Sequence, residues 1–122
     1  MNIWIVAPPS EQPKLVEPLR LMPYRVFGND SVQGAFEALP EGLECIDLFV
    51  LAELDGASAV SGVMAIRAHS KLASTPILVV GEKLGDEDAA AVKKAGADAC
   101  YRLPFKAPVY SARVRAAAAV KR

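Results

Sequence analysis

The sequence predicts an α/β domain built on a parallel sheet with helices on both faces. Three observations lead there. Short apolar runs of four to eight residues, rich in branched side chains, alternate with segments of helical period, and the alternation repeats five times. The runs are nearly continuous in their apolar character, which suits strands buried on both faces. The breakers Pro8-Pro9, Gly28, Pro40, Gly81 and Gly96 fall between the runs. Parallel strands joined by helical crossovers place functional sites at the carboxyl ends of the strands.

Each element has its own local reason. Asn2–Ala7 is a short apolar strand ended by Pro8-Pro9. A helix follows with Leu15, Leu19 and Met22 at helical spacing; Pro18 removes a backbone donor inside it, so a kink or a short helix is expected. Tyr24–Phe27 reads as the second strand, closed by Gly28-Asn29-Asp30. Ser31 caps a helix carrying Val32, Ala35, Phe36 and Leu39, and Pro40 stops it. Cys45–Ala52 is the longest apolar run and the expected central strand. Glu53–Ser58 reads as a loop, before a helix whose apolar face holds Val60, Val63, Met64 and Ile66. Thr75-Pro76 introduces the fourth strand, Ile77–Val80, ended by Gly81. Asp86 is placed to cap a helix with Ala89, Val92 and Ala95, stopped by Gly96. Ala99–Arg102 is the fifth strand, and an alanine-rich helix from Ala107 to Val120 follows.

The 122 residues suffice for one domain and one core. Lysine plus arginine and aspartate plus glutamate balance at 14 each, so the chain lacks the basic excess of a nucleic-acid binder. No apolar run approaches the ~20 residues of a membrane span, and no signal-peptide pattern opens the chain; a cytoplasmic domain without membrane insertion is expected. Cys45 and Cys100, far apart and accompanied only by His69, form no metal-ligand spacing and read as small buried hydrophobes. The balance conceals an asymmetry. Residues 1–60 hold three basic residues against nine acidic ones, a net of −6; residues 61–122 hold eleven against five, a net of +6. That basic half is either a solvated surface or a docking face for an acidic partner.

The strand ends supply little chemistry. Ala7-Pro8-Pro9 follows the first strand, Ala52-Glu53-Leu54-Asp55 ends the third, Gly81-Glu82 the fourth and Leu103-Pro104 the fifth. Neither GxGxxG nor GxxxxGK[ST] is present, and His69 lies far from any strand end. No enzyme and no cofactor is expected.

In order and spacing, Ile46-Asp47-Leu48-Phe49-Val50-Leu51, Thr75-Pro76-Ile77-Leu78-Val79-Val80, and Ala95-Gly96-Ala97-Asp98 followed by Leu103-Pro104-Phe105 resemble the receiver domain of response regulators, the flavodoxin-like phosphoacceptor module of two-component signalling. The resemblance runs from Asn2 to about Val120 and implies one domain over 1–122. Its end at Lys121-Arg122 is compatible with a domain of a longer protein. The implied fold is a five-stranded parallel sheet of order 2-1-3-4-5, with two helices on one face and three on the other.

The resemblance also locates the family's reacting positions. Two magnesium-binding acids fall at Ala7 and Pro8, the phosphoacceptor aspartate at Ala52, the hydroxyl residue at Gly81, the aromatic switch residue at Cys100 and the lysine at Leu103. None of these side chains can hold a hard cation, form an acyl phosphate or neutralise a phosphoryl group. Pro104 remains, and in this family the peptide before it is usually cis. A phosphorylation-independent pseudo-receiver is the expectation: an interaction or regulatory module in bacterial signal transduction. Its partner is a protein, or a second copy bound through the fourth helix, fifth strand and fifth helix; Lys93, Lys94, Arg102, Arg113 and Arg115 would mark that face. Two alternatives stay open. An emptied apolar pocket at Ala7, Pro8, Ala52 and Leu103 would take a small ligand, or displaced acids Glu53 and Asp55 would accept phosphate. Strand alternation directs Glu53 away from the ancestral pocket.

Overall fold

The computed structural model describes residues 2–8, 12–19, 25–29, 34, 46–52, 56–69, 75–81, 85–102 and 107–118. Five strands, β1 (Asn2–Val6), β2 (Arg25–Asn29), β3 (Leu48–Ala52), β4 (Ile77–Gly81) and β5 (Ala99–Arg102), form one parallel sheet of order β2-β1-β3-β4-β5. The helices are α1 (Gln12–Val16), α2 (Gly56–Ala68), α3 (Asp86–Ala95) and α4 (Ala107–Ala118). Here α3 and α4 are the fourth and fifth helices of the sequence reading. The helix expected over Ser31–Leu39 lies outside the described residues apart from Gly34, which is helical.

Strand alternation divides the core into two layers. Trp4, Val6, Phe49, Leu51, Ile77 and Val79 pack with Val63, Ile66 and Val92, the inward residues of α2 and α3. Ile3, Ile5, Leu48, Val50, Leu78 and Val80 pack with Leu15 and Leu19 and with Tyr110, Val114 and Ala117 of α4. Every residue of β3 and β4 is buried. Each large aliphatic side chain so enclosed contributes roughly 1.5–3 kcal/mol relative to exposure.

Several boundaries depart from the sequence reading. Pro18 shortens α1 as expected, and Glu17–Leu19 continues it as a 3-10 turn. The second strand extends through Gly28-Asn29, read above as a turn, because Gly28 and Asn29 register with Ile5 and Val6. The Asn29 Oδ1 also accepts the Trp4 indole N–H at 3.0 Å, while the Trp4 and Phe27 rings stack at 5.0 Å. Helix α2 begins at Gly56, inside the expected loop. Met64, assigned to its apolar face, is 57% exposed; the inward positions are Ala59, Gly62, Val63 and Ile66. The cap of α3 is Gly85 rather than Asp86: its N–H donates to the Asp88 carboxylate at 3.0 Å. Cys100 is half-buried, not fully enclosed, and Cys45 lies outside the described residues.

One polar node crosses the structure. Arg67, at the end of α2, donates to the carbonyls of Thr75 (2.6 Å) and Gly96 (3.0 Å) and to the Asp98 carboxylate (3.0 Å). Asp98 also accepts the Ile77 N–H at 2.8 Å. Both side chains are largely withdrawn from water, at 14% and 6% exposure. Gly96 ends α3 with φ +127°, and a Cβ there would lie 2.9 Å from the Arg67 Cγ, so glycine is required twice over.

Asp98→Ala leaves the Arg67 charge buried without its carboxylate and is expected to cost about 3–5 kcal/mol in urea unfolding. The double variant with Arg67→Met loses less than the two single losses combined; simple additivity would show that the pair is not coupled. Burial also pushes the Tyr110 phenol above its ordinary value. The folded chain then keeps a proton that the unfolded chain gives up, so stability is unaffected below the unfolded value of about 10 and falls as pH rises beyond it. Tyr110→Phe should flatten that alkaline fall, and equal slopes for both proteins would refute it.

Candidate functional site

At the carboxyl end of the sheet the described residues carry small side chains. Ala7 follows β1 and donates its N–H to the Asn29 carbonyl at 3.0 Å. Ala52 ends β3 opposite Val80, and Gly81 ends β4 opposite Arg102. Ala7 and Ala52 are both 0% exposed, and their methyls belong to the layer formed with Leu78, Val80, Leu15 and Tyr110. Pro8 is half-buried beside them in sequence. These methyls are packed core, not the wall of an open cavity. Leu103 and Pro104, with the cis-peptide expectation attached to Pro104, lie outside the described residues, as do Glu53 and Asp55.

A magnesium ion needs oxygen ligands, and Ala7, Pro8, Ala52 and Gly81 bring no side-chain oxygen. Among the described residues no group of three His, Cys, Asp or Glu side chains is placed to hold a metal ion. The residues described here do not fit that cation.

The next strand presents its two faces differently. Cys100, opposite Val79, packs against the layer of α2 and α3, and Tyr101, opposite Val80, packs against the layer of α4. Burial pushes the Cys100 thiol up; the positive charge of Lys93 opposes that shift and Asp88 adds to it. The thiol therefore stays protonated at neutral pH. On the other face, the Arg113 guanidinium carbon sits 4.3 Å from the centroid of the Tyr101 ring.

No family model matches the sequence, and no curated protein does. Solved structures do match. A response regulator from Thermotoga maritima is 19% identical, with a TM-score of 0.83 and 98% of each chain covered. A protein assigned as a response regulator from Chloroflexus aurantiacus is 22% identical, with a TM-score of 0.82 over 98% of each chain. The receiver domain of a Pseudomonas aeruginosa sensor histidine kinase, which holds a magnesium ion in its active-site cleft, is 20% identical, with a TM-score of 0.79 and 98% of each chain covered. The fold is the receiver fold.

On this receiver fold the candidate basic residues are distributed over α3, β5 and α4. Lys93 and Lys94 are exposed in the last turn of α3, where cations also suit the helix dipole. Arg113 and Arg115 are exposed on α4, but two residues of helix turn them about 200° apart. Arg113 leans over β5, whereas Arg115 lies on the opposite flank. Arg102 ends β5, and its side chain lies outside what the structure describes. The sequence reading passed over Tyr101 and Arg67. Both left a signal: Tyr101 alternates with Cys100 onto the other face, and Arg67 is the single charge in a thirteen-residue helix.

Ala52→Asp tests the packed strand end. It places a carboxylate among apolar side chains and should lower stability by about 3 kcal/mol or more, with magnesium giving no recovery. A magnesium-dependent rise of the urea midpoint in this variant would show that a cation site persists.

Proposed function

We propose that the chain is a phosphorylation-independent pseudo-receiver, a domain over 1–122 that acts by contact with protein partners in bacterial signal transduction. The observation that carries this reading is the packing of Ala7 and Ala52, at the positions where the receiver resemblance calls for a magnesium ligand and the phosphoacceptor. An acyl phosphate requires a carboxylate nucleophile, and a methyl group offers no lone pair to attack phosphorus. Gly81 lacks the hydroxyl that would receive the phosphoryl oxygens, and Cys100 supplies a protonated thiol where the family uses a ring. The chemistry that would drive a phosphorylation switch is therefore missing at several positions at once, while the buried strands and the Gly96 turn that shape the fold are kept.

A folded body with an inert centre acts through its surface. Among the described residues no helix is long and apolar enough to cross a membrane. In this reading the module works in the cytoplasm, without catalysis and without a cofactor, as a fixed docking body.

The test is incubation with acetyl phosphate, or with beryllofluoride and magnesium. Neither a mass gain of one phosphoryl group nor a saturable change in backbone amide spectra is expected. A magnesium-dependent, saturable response would overturn the reading and return Glu53 or Asp55 as acceptor.

A further inference from the structure

We propose that the outer edge of β2 pairs antiparallel with the same edge of a second copy, joining two sheets into one around a two-fold axis at Phe27. This edge uses none of the residues on which the phosphorylation reading rests.

β2 is an edge strand: among the described residues it pairs with β1 alone. The Asn29 carbonyl accepts the Ala7 N–H at 3.0 Å, which sets the alternation along the strand. Arg25, Phe27 and Asn29 turn their N–H and C=O groups toward β1, and Val26 and Gly28 turn theirs outward. The register with β1 is unbroken over Arg25–Asn29, so no bulge twists those outward groups away. Neither proline nor lysine interrupts the strand, and its one charge, Arg25, stands at its first residue. A strand with so little protection is a template for another strand.

The side chains select the occupant. Phe27 is 38% exposed although its ring stacks on Trp4. Around a two-fold axis at Phe27 this residue faces its own copy in a non-hydrogen-bonded pair, with Cα atoms about 4.5 Å apart. The stack of Trp4 and Phe27 then continues into the matching stack of the second copy. In the same register Val26 lies opposite Gly28, and the outward N–H and C=O groups of both residues are bonded across the joint. There a half-buried branched side chain covers an exposed glycine. Arg25 lies opposite Asn29, and Asp30 follows Asn29 by one peptide bond, about 3.8 Å between Cα atoms. Antiparallel pairing therefore brings a cation toward an acid at both ends of the joint and keeps the two arginines apart. The backbone alone would accept any extended strand, whereas this match of aromatic, branched and charged positions specifies a second copy. The joined sheet keeps β5 at both of its outer edges.

The unaltered chain supplies the first readout, sedimentation velocity with amide hydrogen exchange over a range of protein concentrations. A dimer that forms with concentration is expected, with exchange of the Val26 and Gly28 amides slowed at least about tenfold as it forms. The Phe27 and Asn29 amides, bonded to β1 in both states, change by no more than about twofold. F27K sets two ammonium groups face to face on the axis and is expected to return the chain to a monomer. Where F27K lowers the urea midpoint, cysteine cross-linking replaces it, in a chain carrying C45A and C100A. F27C forms a disulfide between copies, since a Cα separation of about 4.5 Å suits one. R25C does not, because its two copies stand more than about 12 Å apart along the joint. A monomer at every concentration would overturn the proposal, as would a dimer whose Val26 and Gly28 amides stay unprotected. So would protection of those amides in the monomer, which would show that the chain covers its own edge, or equal cross-linking of F27C and R25C. A dimer of this kind that also responds to beryllofluoride would overturn only the phosphorylation reading, so the two failures are told apart.

Discussion

The Arg67–Asp98 pair is the constraint on which the rest of the structure depends. Removing two charges from water is costly, and attraction between them offsets that cost only when the remaining donors and acceptors are also satisfied. Here they are: Arg67 reaches two carbonyls besides the carboxylate, and Asp98 takes a backbone N–H besides the guanidinium. The four residues joined to the pair or within it lie in three segments. Thr75 and Ile77 begin β4, Gly96 closes α3, and Asp98 precedes β5. One side chain from α2 therefore fixes the start of two strands and the end of the helix that joins them. The Asp98 N–H, donating to the Ile77 carbonyl at 3.0 Å, continues the lock into the β4–β5 ladder. Register at the sheet edge follows from this node. So does the side of the sheet on which Cys100 and Tyr101 emerge.

The same constraint shows what was legible in the sequence. The sheet order and the central strands were readable, because burial on both faces demands unbroken apolar runs such as Leu48–Ala52 and Ile77–Val80. The end of β2 was not, because Gly28-Asn29 has turn chemistry and is held in the strand by pairing with β1, a contact distant in sequence. Met64 was misplaced because the inward arc of α2 is filled by Ala59, Gly62, Val63 and Ile66. An apolar helix without a clear polar face gives periodicity nothing to choose between. The residue types at the strand ends, Ala7, Ala52 and Gly81, were legible position by position, since they are read directly from the sequence. The partner face was legible only as composition. Counting Arg113 and Arg115 together ignores the helical turn between them, and the stack on Tyr101 depends on which face of β5 each residue takes.

A packed carboxyl end changes what the fold can do. In an α/β sheet the strand ends are the ordinary place for a ligand, because helix N-termini and loops converge there around a crevice. Ala7 and Ala52 are buried there, in one apolar cluster with Leu15 of α1 and Tyr110 of α4. Close packing is an asset to stability and an obstacle to switching. A signal that enters as charge needs a place where charge can reside, and apolar side chains do not provide one without first being displaced. In the proposed reading the exterior is the route for information, and there the limits are set by where the fold puts its charges.

The strand order settles that distribution. Order β2-β1-β3-β4-β5 keeps β1, β2 and β3, drawn from the first half of the sequence, adjacent to one another, and keeps β4 and β5 together at the other side. Among these elements α3 holds Asp86, Glu87 and Asp88 against Lys93 and Lys94, whereas β5 carries Arg102 and α4 carries Arg113 and Arg115 with no acid. Such cations act beyond contact distance, orienting an approaching charged surface before any side chain touches it, within the reach that salt allows. Short-range specificity must then come from a group held in place, and the Arg113 guanidinium, seated on Tyr101 at that edge, is held by an interaction that does not consume its hydrogen-bond donors.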